Sequence, residues 1–193
     1  MAKTGEQQIG AWVTALGAKK PTPGGGAAAA LCAAIGAASG AMASIYTTRK
    51  KDEESGVAAG ARELAASLDA AAAKCIVIAD EDEAAYAALQ ASWKDTSMSE
   101  EDKKKVNATA LDVPVRLVKL CHEQCKAVVD FLPKCNPNIT SDAKVAIHLL
   151  SGAGRAAYQT VLVNSPPDDL KDELKKLLAD FVEFEIKVYD QSV

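Results

Sequence analysis

Apolar residues recur at helical spacing along nearly the whole chain, and no stretch alternates long enough to suggest a strand. The first periodic segment, roughly residues 6–16, places Ile9, Trp12, Val13 and Leu16 at i, i+3, i+4 and i+7, an amphipathic stripe able to lie across a bundle. A second runs over about residues 26–50 and is built of Ala, Gly and Ser, with Gly36 and Gly40 one turn apart. So thin a helix must be surrounded by closely packed neighbours. A third, about residues 53–93, repeats Leu64, Leu68, Ala71, Cys75, Ile78, Asp82, Ala85 and Leu89 along one face, which puts Asp82 in register with an apolar stripe. Ser97 with Glu100 spells a capping box for a fourth helix. That helix is expected to bend near Pro114 and to continue through Val118, Cys121, His122, Cys125 and Val129 to Pro133. A Pro/Asn loop over residues 133–140 leads to a fifth helix, about residues 142–163, with Ser141 or Thr140 as its cap. Asn164-Ser165-Pro166-Pro167 breaks it, and residues 170–189 form a last amphipathic helix. The pattern predicts an all-α, up-and-down bundle of five to six helices with a long Ala/Gly-rich central helix, as one domain over residues 1–193.

Composition narrows this further. A chain of 193 residues can bury a core without disulfides or metals. With 49% apolar but only 5% aromatic residues, small side chains must make most helix contacts. The net charge of −4 offers no general attraction to nucleic acid or an anionic membrane. The basic clusters Lys50-Lys51 and Lys103-Lys104-Lys105 adjoin acids and read as solvated faces. No apolar run is expected to span a bilayer, and residues 1–10 lack a signal-peptide core, which points to the cytoplasm. Five cysteines, an odd number inside helical patterns, read as reduced thiols.

Candidate chemistry concentrates in two places. Pro21-Thr22-Pro23-Gly24-Gly25-Gly26 runs straight into Ala27-Ala28-Ala29-Ala30, so a helix starts with free N–H groups and no bulky side chain. The loop is either a tight connector or a place where a carboxylate, phosphate or amide oxygen meets backbone. The run Asp80-Glu81-Asp82-Glu83 is either a solvated acidic face or a set of crowded carboxylates that raise one another's proton affinity. Asp82, on the apolar stripe, is then the candidate acid/base group. Cys121, His122 and Cys125 do not make a metal site, because His122 points away from the face shared by the two cysteines. His148 reads as a core residue.

Five blocks in order give a resemblance. Pro21 to Ala30, Asp80 to Tyr86, Ala110-Leu111-Asp112-Val113-Pro114-Val115, Asn136-Pro137-Asn138-Ile139-Thr140-Ser141-Asp142 and Val161-Leu162-Val163-Asn164 resemble the cyclodeaminase/cyclohydrolase family of folate enzymes. The resemblance implies 5-formiminotetrahydrofolate cyclodeaminase activity, with methenyltetrahydrofolate cyclohydrolase activity or a silent folate-binding homologue as alternatives. It implies Asp82 as the catalytic carboxylate and Pro23, Gly24, Gly25, Gly26, Arg49, Lys50, Asn136, Ser141, Asp142 and Asn164 as substrate contacts. Asn136 and Asp142 would meet the pterin's donor-rich edge, and Arg49 and Lys50 a glutamate tail. No cofactor beyond the tetrahydrofolate substrate and no metal are implied. A homodimer or higher homo-oligomer is expected, with Gly36 and Gly40 allowing close helix contact across a symmetric interface. The chain departs from the family pattern at Ala27, usually Ser or Gly, at Thr48 and Asp52 around the basic pair, and at Thr160, usually Asn.

Overall fold

The computed structural model describes residues 3–189, so the expected domain of residues 1–193 extends past the described residues at both ends. Among them the secondary structure is entirely helical. A short 3-10 turn, Thr4–Glu6, precedes α1 (Ile9–Leu16), α2 (Gly25–Ile45), α3 (Lys50–Glu54), α4 (Val57–Lys94), α5 (Glu100–Phe131), α6 (Thr140–Val163) and α7 (Asp168–Tyr189). Hydrogen bonds across the bundle fix the directions. Ala27 of α2 meets Asp82 of α4, Ser67 of α4 meets Gln124 of α5, Cys125 of α5 meets Ile147 of α6, and His148 of α6 meets Glu185 of α7. A second contact for each pair, Gly40 with Leu68, Glu81 with Arg116, Cys121 with Gly154 and Gly154 with Phe181, shows that each of these five long helices runs antiparallel to the next, which is the up-and-down bundle expected, with α2 packed between α4 and α6.

The small residues of α2 do their work inside the molecule. A Cβ on Gly36 would lie 3.0 Å from Leu149 Cβ, and one on Gly40 would lie 3.1 Å from Val128 Cγ2. These glycines let α4, α5 and α6 close on α2 within one chain, so they are not available to a symmetric interface as expected. A second correction concerns length. α2 carries no charged residue over 21 positions and is long and apolar enough to cross a membrane, although 56% of its most apolar window is buried in the bundle.

The remaining differences have local causes. α2 stops at Ile45, and residues 50–54 form a separate helix, because the Asp52 carboxylate reaches back to the Arg49 N–H at 2.9 Å and caps a new start. Arg49 and Lys50 thus open α3 rather than close α2. Ser99, not Ser97, caps α5: its Oγ accepts from Asp102 N–H at 3.1 Å, while Ser97 turns to Asp95. The N-cap of α6 is Ile139, so neither Ser141 nor Thr140 caps it. Thr140 Oγ1 instead donates to the Asn136 carbonyl. α7 docks through Phe181, which is fully buried and contributes about 1.5–3 kcal/mol of apolar burial. Polar pairs flank it: His122 Nε2 to Asp180 at 2.7 Å, and His148 Nδ1 and Arg155 Nη1 to Glu185 at 3.0 and 2.6 Å. His148 is therefore only half-buried and hydrogen-bonded to Glu185, rather than a core residue.

Candidate active site

Pro21 and Pro23 keep the chain out of helix until Gly24, whose extended backbone (φ −119°, ψ −167°) serves as the N-cap of α2. The first turn carries no side chain that could accept its N–H groups. Asp82 supplies the acceptor from another helix: its Oδ2 takes the Ala27 N–H at 3.0 Å. The fit is tight, since a Cβ on Gly26 would lie 2.0 Å from Asp82 Oδ1. Glycine at position 26 is thus what admits the carboxylate. Burial pushes the Asp82 carboxyl above the usual carboxylate range, and the Ala27 N–H opposes that shift.

The four acids of the run separate. Asp80 accepts from the Thr4 N–H at 2.8 Å, and Glu81 pairs with Arg116 at 2.6 Å. Glu83 is buried and bonded to the Thr22 side chain. Its carboxyl is pushed up, first by burial and then by the charge of Asp80. Only Asp82 lines a cleft of about 350 Å³. Around it stand Pro21, Thr22, Gly24, Gly25 and Gly26 from the loop, and Ala85, Tyr86, Leu89 and Trp93 from α4. Ala110 of α5 and Thr160, Val163 and Asn164 from the end of α6 complete the wall. Pro23, joined to Thr22 by a cis peptide, shapes the loop without lining the cleft.

Asn164 has a specific task there. Pro114 lacks an N–H, so the carbonyl four residues earlier, that of Ala110, loses its helical donor. Asn164 Nδ2 donates to that carbonyl at 3.0 Å and to Thr160 O at 2.9 Å. With both amide protons used, the group Asn164 can offer a ligand is Oδ1.

The other expected contacts lie elsewhere. Arg49 grips Asp52 through Nε and Nη2 at 2.7 and 2.9 Å and Asn136 Oδ1 through Nη1 at 2.5 Å. Asn136 is buried, and its side chain also donates to Tyr46 O and accepts from the Asn138 N–H. Ser141 Oγ donates to Asp142 Oδ2, and Lys50 is exposed. These residues surround the C-terminal end of α2, whereas Asp82 and the glycines surround its N-terminal end. Twenty helical steps separate the two groups, about 30 Å. Within one chain, Asp82, Gly24, Gly25, Gly26 and Asn164 come together, and Arg49, Lys50, Asn136, Ser141 and Asp142 form a second group. Cys121 and Cys125 are buried, and Cys125 Sγ donates toward Ile147 O, so they pack rather than face the cleft.

Sequence reasoning passed over Thr22, Trp93 and Val163 as wall residues. The signal for Trp93 was present, since Asp82, Tyr86, Leu89 and Trp93 share one helical face.

A family model described as formiminotransferase-cyclodeaminase matches residues 8–181, and the chain belongs to that family. No curated protein sequence matches the chain. Among solved structures it is similar to formiminotetrahydrofolate cyclodeaminase from Thermotoga maritima. The TM-score is 0.80 at 20% identity, over 96% of this chain and 93% of that one. At that identity the likeness speaks to the fold.

Proposed function

We propose that this chain is a folate one-carbon enzyme that closes 5-formiminotetrahydrofolate to 5,10-methenyltetrahydrofolate with release of ammonia. The observation that carries the reading is Asp82, a partly buried carboxylate fixed against Gly26 and Ala27 and open to the cleft on its other side. The reaction needs one group that cycles a proton. As N10 attacks the protonated formimino carbon, its proton passes to Asp82. Asp82 then returns it to the departing amine, which leaves as ammonia with the bonding pair, and the positive charge stays on the methenyl bridge. Burial makes Asp82 a better acceptor than an ordinary carboxylate. No other small molecule is required by this chemistry, and the buried, unpaired thiols suit a cytoplasmic setting.

The same carboxylate would serve water addition to the methenyl carbon. Incubating the purified protein separately with 5-formiminotetrahydrofolate and 5,10-methenyltetrahydrofolate tests the assignment. Methenyl formation with ammonia release is expected from the first. Turnover of the second alone would make it a cyclohydrolase, and turnover of neither a silent homologue.

The working unit in this reading is a two-fold dimer. Ile35, Met42, Ile45 and Tyr46 leave an uncharged, apolar stripe exposed along α2, and Val145 of α6, a helix packed on α2, is exposed as well. Ile35 sits at the midpoint of α2, so an axis near it pairs the helices antiparallel. The basic segment that opens α3 in one protomer is then brought beside the glycine loop of the other, joining the two groups that one chain keeps apart. An Ile35→Lys variant is expected to scatter light as a monomer and to lose turnover. A wild type that is monomeric and active overturns the dimer.

A further inference from the structure

Asp82, Tyr86, Leu89 and Trp93 rise along one face of α4 as a ladder about 16 Å long, and all four line the cleft. Its character changes with height. A carboxylate stands at the floor, and aromatic and aliphatic groups stand at the rim. Trp93 is 66% exposed, and Val163, on the α6 side, is 79% exposed. Large apolar side chains left in water at the mouth of a cleft gain from a ligand that covers them. The floor, by contrast, is polar: it carries the Asp82 carboxylate and the Gly25 and Gly26 N–H groups that open α2.

A reduced folate is graded in the same order. The pterin edge is rich in donors and acceptors, the reacting nitrogens follow, then an aryl ring with two apolar faces, then a charged glutamate that stays in water. We propose that Trp93, with Leu89 one turn below it, holds the aryl ring that carries N10, and so selects substrates with that ring over bare pterins. The assignment rests on the folate reading above. Indole suits the task, since it gives a broad rigid face at the cost of two torsions. The Tyr86 ring below is steadied by Gln90 Nε2, which donates to its Oη at 3.2 Å.

Calorimetric titration with two probes tests this: 5-formyltetrahydrofolate, and 5-formyl-6-methyltetrahydropterin, which lacks the aryl group. Trp93→Ala is expected to weaken the first by about tenfold and leave the second unchanged, while Trp93→Phe keeps most of the affinity. Trp12, the other tryptophan, is buried, so fluorescence quenching by the first probe should be present in the wild type and lost in Trp93→Phe. Equal weakening of both probes by Trp93→Ala, or no weakening of the first, overturns the role of Trp93 and leaves the folate reading standing. A wild type that binds neither probe overturns the folate reading and this assignment with it.

Discussion

Replacing Gly26 with alanine separates a proton-transfer role of Asp82 from a packing role. The new Cβ would lie 2.0 Å from Asp82 Oδ1 and 2.5 Å from its Cγ, so the carboxylate must retreat by about 1.4 Å to reach ordinary contact. The backbone of α2 has no such freedom, because Ala27, Ala29 and Ala30 are buried around it. Retreat breaks the 3.0 Å bond from the Ala27 N–H. A hydrogen bond to a charged group is worth about 1.5–3 kcal/mol. Against that loss stand the better helix propensity of Ala, at most about 1 kcal/mol, and the rehydration of a carboxylate moved toward the cleft. A net loss of about 1 kcal/mol lowers Tm by roughly 2–4 °C for a domain of this size. Catalysis is hit harder. Moving the reacting group by more than 1 Å costs on the order of 10²-fold in rate. Gly26→Ala is therefore expected to be folded and slow, with kcat reduced about 10²-fold in the spectrophotometric methenyl assay. In an Asp82→Asn background the same substitution should cost nothing further, since the group it displaces no longer transfers protons. Wild-type kcat in folded Gly26→Ala, or a full additional loss in the double variant, would falsify the reasoning.

Asp82→Asn alone should reduce kcat by roughly 10²–10⁴-fold. Because burial raises the folded pKa of Asp82, ionisation costs the native state stability at neutral pH and the cost fades as pH falls through that pKa. The variant should therefore melt at or above the wild type at pH 7–8 and lose that advantage near pH 4; a lower Tm at pH 8 contradicts the burial argument. Arg49 holds the Asp52 carboxyl below its usual range, so their contact stabilises the fold above the ordinary carboxylate pKa and is lost as pH falls through the lowered one. Arg49→Ala should lower Tm clearly at pH 7 and progressively less in acid, by differential scanning calorimetry; an unchanged Tm with a raised KM would make Arg49 a substrate contact instead. Asn164→Ala should cost about 1 kcal/mol in the wild type and much less in a Pro114→Ala background, where residue 114 supplies its own N–H to the Ala110 carbonyl. Equal costs in both backgrounds, measured by urea denaturation, would show that Asn164 has no such task.

Periodicity carried the bundle because α4, α5, α6 and α7 each bury one apolar face that a 3.6-residue repeat records directly, while α2, apolar all round, was legible by its small residues. It failed where a single side chain decides the outcome. Nothing in the spacing of Ser97, Ser99, Glu100 and Asp102 says which serine caps, since both spellings are adequate and the geometry of the preceding turn chooses. The end of α2 was misplaced for a similar reason: Asp52 can cap only after the chain has turned at Thr47, whose Oγ1 donates to Ala43 O and accepts from the Asn136 N–H. The site was legible as an acid and a glycine loop but not as their contact. Residues 27 and 82 lie 55 positions apart in sequence, and only antiparallel packing of α2 on α4 brings them together. Sequence blocks carry no distance, so the roughly 30 Å of α2 between the two groups became legible only once both were placed at its ends.

The departures of this chain from the pattern it resembles acquire different weights in the structure. Ala27 contributes a backbone N–H that any residue but proline would supply, and its side chain is buried. Asp52 builds the clamp that caps α3 and holds Arg49 against Asn136, and Thr48 Oγ1 donates to Ile45 O at 2.7 Å, so this pair organises the turn after α2. These three positions change how the scaffold is held. Thr160 alone lines the cleft, and its hydroxyl proton is spent on the Ala157 carbonyl at 2.7 Å. An amide at that position would have offered a ligand both a donor and an acceptor. Asn164, one turn later, is the α6 residue with a polar group left to offer a ligand, and that group is Oδ1 because the gap opened by Pro114 claims its Nδ2. Under the proposed function, polar recognition on the α6 side of the cleft therefore falls to a single acceptor, while Gly26, Ala27 and Asp82 keep the contact that the proposed proton transfer needs.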